Sequence, residues 1–232
     1  MKNRMIALLL LCALALTACA SSSNLTKSGK EERDMHRSND KAADESGIPD
    51  VDIGVVDGGV YKNVTLGIAF PFPDGWEEGG GIVVTDELIG AASLDLDRAE
   101  VYDEVSAGED VVIFSAHDTA GLTSAVISIS VSLNPLPDAD PDGDALVNHF
   151  IPLLNQEYAR RDAFSLLASE PFDADFCGED HVVLNLTIGN AEPEFYTTNL
   201  YLPCGDLLYT LTVSTSREDT TADLLGLFEP LD

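Results

Sequence analysis

The chain has 232 residues, 45% of them hydrophobic and 7% aromatic, and a formal net charge of −29. That is enough apolar material for one domain with a true core, which excludes a disordered chain. So negative a field repels nucleic acid, whose binding needs a basic patch, and attracts cationic peptides and divalent ions; nucleic acid is therefore excluded as a partner.

Lys2 and Arg4 precede an eleven-residue apolar run from Ile6 to Leu16, which ends in Leu16-Thr17-Ala18-Cys19. A charged start, a short apolar stretch and small residues before a cysteine form an export signal. Eleven residues are too few to cross a hydrocarbon core that takes about 20. The segment resembles bacterial lipoprotein signals, whose lipobox runs Leu, a small residue, Ala or Gly, then Cys. The resemblance implies that residues 1–18 are removed and that Cys19, diacylglycerated on its thiol, becomes the first mature residue. Two or more acyl chains hold a protein stably at a bilayer, at the membrane's extracytoplasmic face. A second reading of the same residues is an ordinary secretory signal cut at Ala18-Cys19-Ala20, which gives a soluble secreted protein.

Residues 20–50 are rich in Ser and mixed charge and almost free of large apolar side chains. Such a segment cannot offset its ordering entropy, so residues 19–57 are expected to be a lipidated Cys and a flexible tether. Treated as a coil of about 38 residues, it spans roughly 30–37 Å root-mean-square. The globular domain is expected over 58–232. From Val51 onward, 34 Asp and Glu face five Lys and Arg (Lys62, Arg98, Arg160, Arg161 and Arg217), spread through the domain instead of gathered in a tail.

Leu66–Phe72 reads as a strand closed by the Pro73-Asp74-Gly75 turn and Trp76. The stretch Glu77–Gly108 is ambiguous, with Thr85 a candidate cap for a short helix through Ala92 and glycines at 79–81 and 90 against it. Val111–Ser115 and Ser124–Leu133 form strands around Asp118-Thr119-Ala120-Gly121. Leu146, Val147, Phe150, Ile151, Leu154 and Tyr158 recur at helical spacing and predict a helix over Asp144–Arg161, kinked at Pro152. Strands follow at Ser165–Phe172, His181–Ile188, Phe195–Leu202 and Leu207–Ser214, then a short helix at Thr221–Phe228. Hairpins interrupted by a few helices predict an α+β fold with a mostly antiparallel sheet.

The run Tyr61-x-Asn63-x-x-Leu66-Gly67-Ile68-x-Phe70-x-Phe72-Pro73-x-Gly75-Trp76 resembles the opening of a PsbP-like domain, the family of the photosystem II extrinsic protein and of many bacterial lipoproteins. The motif is a strand pair followed by a tight turn that tucks Trp76 against the sheet. The resemblance implies an antiparallel sheet covered by helices on both faces and action by binding a partner. It carries no site residue over to this chain.

Once the signal is removed and Cys19 assigned to lipid, Cys177 and Cys204 remain. An even pair in an exported protein suggests a disulfide. A hairpin turning near Asn190-Ala191 sets Cys177 opposite Cys204, closing a loop of about 28 residues and contributing on the order of 3 kcal/mol. Two free buried thiols are the other reading.

Asp138, Asp140, Asp142 and Asp144, with Gly143, reproduce the Asp-x-Asp-x-Asp-Gly opening of calcium loops, in which alternating oxygens converge on a hard cation. The twelfth position is His149 where a bidentate Glu is needed, and Asn134-Pro135-Leu136-Pro137 is not an entering helix. The alternative is a strand-to-helix connection in which Asp142 or Asp144 caps the helix.

No Gly-x-Ser-x-Gly, His-Glu-x-x-His, phosphate-binding glycine loop or Cys/His cluster occurs in the sequence. His117 reads as a turn residue, His149 as a helix-surface residue and His181 as a strand-start residue. The expectation is therefore not an enzyme but a membrane-anchored binding or scaffold domain that meets an envelope protein or a cationic ligand. The alternative from another class is a calcium-responsive module built on residues 138–144.

Overall fold

The computed structural model describes residues 51–79, 81–84, 89–92, 97–119, 125–137, 143–160, 164–190 and 192–231. The first strands are β1 (Val55–Asp57), β2 (Val60–Asn63), β3 (Ile68–Pro71) and β4 (Trp76–Glu78). The hairpin β5 (Gly81–Val84) and β6 (Ile89–Ala92), helix α1 (Arg98–Ser106), and the long hairpin β7 (Val111–Asp118) and β8 (Ala125–Leu133) come next. Helix α2 (Asp144–Tyr158) leads into a meander, β9 (Ser165–Phe176), β10 (Glu179–Gly189), β11 (Pro193–Cys204) and β12 (Leu207–Ser216). Helix α3 (Thr221–Leu225) and β13 (Glu229–Pro230) close the chain.

Seven strands form one antiparallel sheet in the order β4-β7-β8-β12-β11-β10-β9. Strand periodicity divides their side chains between two faces. On the first face Ile129 opposes Leu211, which opposes Leu200. This face packs against Val101 and Val105 of α1, Leu225 of α3, Phe228 beyond it, and Tyr61 and Phe70 of a small sheet ordered β1-β2-β3-β13. On the second face Leu184, Leu186, Ile188, Phe195 and Tyr201 pack against Leu146, Val147 and Tyr158 of α2. The fold is α+β, mostly antiparallel, with helices on both faces, as expected.

Several local outcomes differ from the sequence reading. Residues 89–92, expected to end a helix capped by Thr85, are strand β6, paired antiparallel with β5. Gly90, flanked by Ile82, Val83, Val84 and Ile89, favours the extended form over a helix. The helix of this region is α1 instead. Asp97 caps it by accepting from the N–H groups of Ala99 and Glu100, and Glu100 reaches back to the Asp97 N–H. This reciprocal box satisfies two orphan donors.

The packed domain also begins before Gly58. Val51 is buried, and the Asp52 carboxylate accepts from the backbone N–H groups of Gly54 and Thr65, both at 2.9 Å. Burial alone raises this carboxyl. The donors from Thr65 and Gly54, with the Arg98 guanidinium, more than offset burial and hold it below the usual carboxylate range.

Both edges of the large sheet are blunted. Edge strand β4 has three residues, and edge strand β9 carries Pro171, Asp173 and Asp175 and a register shift at Thr187/Ile188 of its partner. Such features keep a sheet from adding strands of another chain.

Helix α2 enters through a close approach. Its N-cap is Gly143 at φ +77°, with no side-chain cap, so neither Asp142 nor Asp144 is the capping residue. The β10–β11 ladder ends at Leu184↔Asn199, and a Cβ on Gly143 would lie 3.2 Å from the Tyr201 carbonyl oxygen and 3.7 Å from that of Val182. Only glycine combines that backbone with that clearance. Gly143→Ala is therefore expected to lower stability by roughly 1–3 kcal/mol, read as a lower urea midpoint at unchanged m-value.

Candidate binding site on the second sheet face

The second face has two unlike halves. Over β9–β11 it is apolar and covered by α2. Across β7, β8 and β12 it is a field of hydroxyls. Ser115 opposes Ser128, Ser128 opposes Thr212, and Thr212 opposes Asn199, so one row of polar side chains crosses four strands. All four are buried. Thr212 Oγ1 donates to Asn199 Oδ1 at 2.9 Å, and in the next row Thr197 and Ser214 share a hydrogen bond of 3.0 Å. Serine and threonine stand there where the same strands present aliphatic residues to the first face. The alternation of Val126-Ile127-Ser128-Ile129-Ser130-Val131-Ser132 shows this split directly in sequence.

Asp110, just before β7, stands at one end of this field. The Ser130 hydroxyl donates to its carboxylate, but Oδ1 is closed from solvent and has no hydrogen-bond partner. Burial pushes its pKa up to about 6, against the pull of the Ser130 hydrogen bond. An orphaned acceptor of this kind is costly to a fold. In the sequence Asp110 carries no signal, being one acid among so many; the serine alternation of β8 beside it is the available clue. His117 lies near the far end of β7, opposite Glu77. Seven residues of strand separate it from Asp110, on the order of 20 Å, so the two cannot act as an acid–base pair. Gly79 passes so close over His117 that a Cβ there would meet Nδ1 at 2.8 Å.

The residues singled out in the sequence fall elsewhere. Cys19, Asp138, Asp140 and Asp142 lie outside the described residues. Asp144 is the first residue of α2, with a carboxylate oxygen 3.4 Å from Asn148 Nδ2. Among the described residues no three His, Cys, Asp or Glu side chains are grouped to hold a metal ion.

Cys177 and Cys204 are separate thiols, in place of the expected bridge. Ile188 opposes Phe195, which puts the β10–β11 register two residues away from the one that sets Cys177 against Cys204. Cys177 instead occupies the two-residue turn between β9 and β10, at φ +55° beside Gly178 at φ +85°. Burial, then the charges of Asp175, Glu179 and Glu229, push its pKa up to about 11, which keeps the thiol protonated and unreactive. His181 packs edge-on to Phe176, with ring centroids 5.9 Å apart, and its Nε2 lies 4.0 Å from Glu179.

No family model and no curated protein matches the chain. Among solved structures it is similar to the cyanobacterial PsbP of Synechocystis sp. PCC 6803, with a TM-score of 0.42 and 19% identity over 76% of this chain and 95% of that one. It is also similar to LpqN of Mycobacterium tuberculosis, involved in cell envelope biogenesis, with a TM-score of 0.35 and 14% identity over 70% and 82% of the two chains. A protein of unknown function from Pseudomonas aeruginosa follows, at a TM-score of 0.30 and 13% identity over 59% and 82%. A PsbP is thus among the structures that the chain is similar to, as the Tyr61–Trp76 motif implies. No helix among the described residues is long and apolar enough to cross a membrane.

Asp110 links folding to pH. Its folded pKa lies above the unfolded value of about 3.9, so the folded state takes up a proton between the two. Its contribution is fully present below about pH 4 and is lost as pH rises through about 6. The loss amounts to roughly 2–3 kcal/mol. Asp110→Asn should raise the thermal midpoint at pH 7 and flatten its decline between pH 4 and 6, as followed by circular dichroism.

Proposed function

We propose that the protein is a lipid-anchored, extracytoplasmic binding domain that meets an envelope partner or cationic ligand at Asp110, the half-buried end of the hydroxyl-lined half of its sheet. The observation that carries the binding role is the unpartnered Asp110 oxygen beside Ser130. A buried acceptor without a donor weakens the fold, and a ligand donor supplied from outside would complete it. The rows of hydroxyls with one carboxyl at their end suit hydrogen-bonded recognition of a donor-bearing ligand. No Lys or Arg lies among the residues of these rows, which disfavours an anionic ligand. The anchor rests on Leu16-Thr17-Ala18-Cys19 and on the tether that follows.

Two measurements test this reading. Cells given a clickable fatty acid should label the native chain, and Cys19→Ser should lose the label and leave the membrane fraction; label that persists on the variant refutes the anchor. Crosslinking in intact cells should capture a partner with the native chain and several times less with Asp110→Asn. Because that variant is expected to be more stable, reduced capture reports recognition and not misfolding.

A further inference from the structure

The small sheet has a second face that the packing described so far does not use. Tyr61, Asn63, Ile68 and Phe70 turn inward and are buried. The alternate residues lie on the other face, where Val55 and Asp57 are exposed, Val60 and Lys62 half-buried and Ala69 buried. Val55 opposes Lys62, which opposes Ala69, and Asp57 opposes Val60, which opposes Pro71. Val55 is 60% exposed and Val64, directly after β2, is 77% exposed. Among the described residues five large apolar side chains are exposed; of these Val55 lies on the outer face and Val64 directly follows β2, whereas Val56 opposes Tyr61 on the inner face. Solvated β-strands ordinarily present polar residues outward, and the exposed Val55 and Val64 depart from that pattern. The outer face also carries Lys62, one of the five cations from Val51 onward, at its centre. Asp57 lies beside it, and Glu229 of β13 opposes Ala69 at its margin.

The chain reaches this face directly from the tether: Val51 is buried, and β1 begins four residues later. We infer that the outer face of the small sheet rests on the surface of the bilayer that holds the anchor. The valines enter the interfacial region, and the Lys62 stem lies along them while its ammonium meets lipid phosphate. The proposal rests on the lipid anchor proposed above. The anchor makes docking intramolecular, so a face too small to hold a free domain on lipid is occupied once the chain is tethered. A second copy of this chain is a poor occupant, since two domains of such charge repel.

The test uses the full mature chain, lipidated, in vesicles of phosphatidylethanolamine and phosphatidylglycerol, with amine acylation of Lys62 read by mass spectrometry. Lys62 should react severalfold more slowly on vesicles than in the unlipidated Cys19→Ser chain in solution. The exposed double substitution Val55→Asp, Val64→Asp should restore its reactivity while the chain still sediments with the vesicles. Sedimentation without any slowing of Lys62 overturns the docking and leaves the anchor standing. Slowing in native membranes but not in pure lipid overturns it in favour of a protein partner. Failure of the native chain to sediment overturns the anchor, and this inference with it.

Discussion

The ring of Tyr61 stacked on Phe114, with centroids 3.9 Å apart, is the contact on which the arrangement of the domain depends. It joins the small sheet to the first face of the large one, and Phe70 extends the junction to Phe228 at 4.9 Å and to Trp76 at 5.8 Å. Aromatic pairs combine a large buried area with a preferred geometry, so they fix orientation as well as adhesion. The same Tyr61 organises the entering chain. Its hydroxyl donates to the Ile53 carbonyl and accepts from Asn63, while the Tyr209 hydroxyl accepts from the Asp52 N–H. Gly54 lies so close that a Cβ would stand 2.5 Å from the Tyr61 ring. Removing this side chain would release both the small sheet and the segment Val51–Gly54.

With the first face sealed in this way, the second face is where the domain departs from economical packing. A sheet half lined by Val and Leu would be the more stable solution under any cover, because buried hydroxyls gain little beyond satisfying one another. The rows through Ser128 and Thr212 do satisfy one another in part, whereas Asp110 keeps an acceptor without a donor. A fold tolerates such a group when the surroundings over-determine the structure, and here two apolar cores lie on opposite faces of the sheet.

The meander was legible because Leu207, Tyr209, Leu211 and Val213 alternate with residues of another kind, and α2 because its apolar residues recur at helical spacing. Trp76 was placed correctly by its turn: its N–H donates to the Pro73 carbonyl, and the ring lies edge-on to Phe70. Registers were less legible. The hairpin at Asn190 was paired by counting from an assumed turn centre, and a shift of two residues was enough to part Cys177 from Cys204. The tight turn at Cys177-Gly178 was hidden because cysteine is not a usual residue at positive φ, where Asn, Asp or Gly is the ordinary signal. Helix α1 did carry its signature, Asp97-x-x-Glu100, but the glycines at 79–81 and 90 drew attention to the neighbouring stretch. Gly143 was read as the bend of a calcium loop. Its closest neighbours are two strand carbonyls, a tertiary relation that no local pattern encodes.

For a domain anchored as proposed, net charge bears on its orientation. With 34 acids against five cations from Val51 onward, most of its surface is repelled by anionic headgroups. At physiological ionic strength the Debye length is about 8 Å, so only the side that faces the lipid contributes to that repulsion. In the docked orientation proposed above, Lys62 faces the lipid between the two valines, with Asp57 and Glu229 near it. The same orientation carries the hydroxyl-lined face away from the lipid, because the small sheet and that face lie on opposite sides of the seven-stranded sheet. In the pose proposed above, the candidate binding site would therefore lie on the side of the domain away from the lipid.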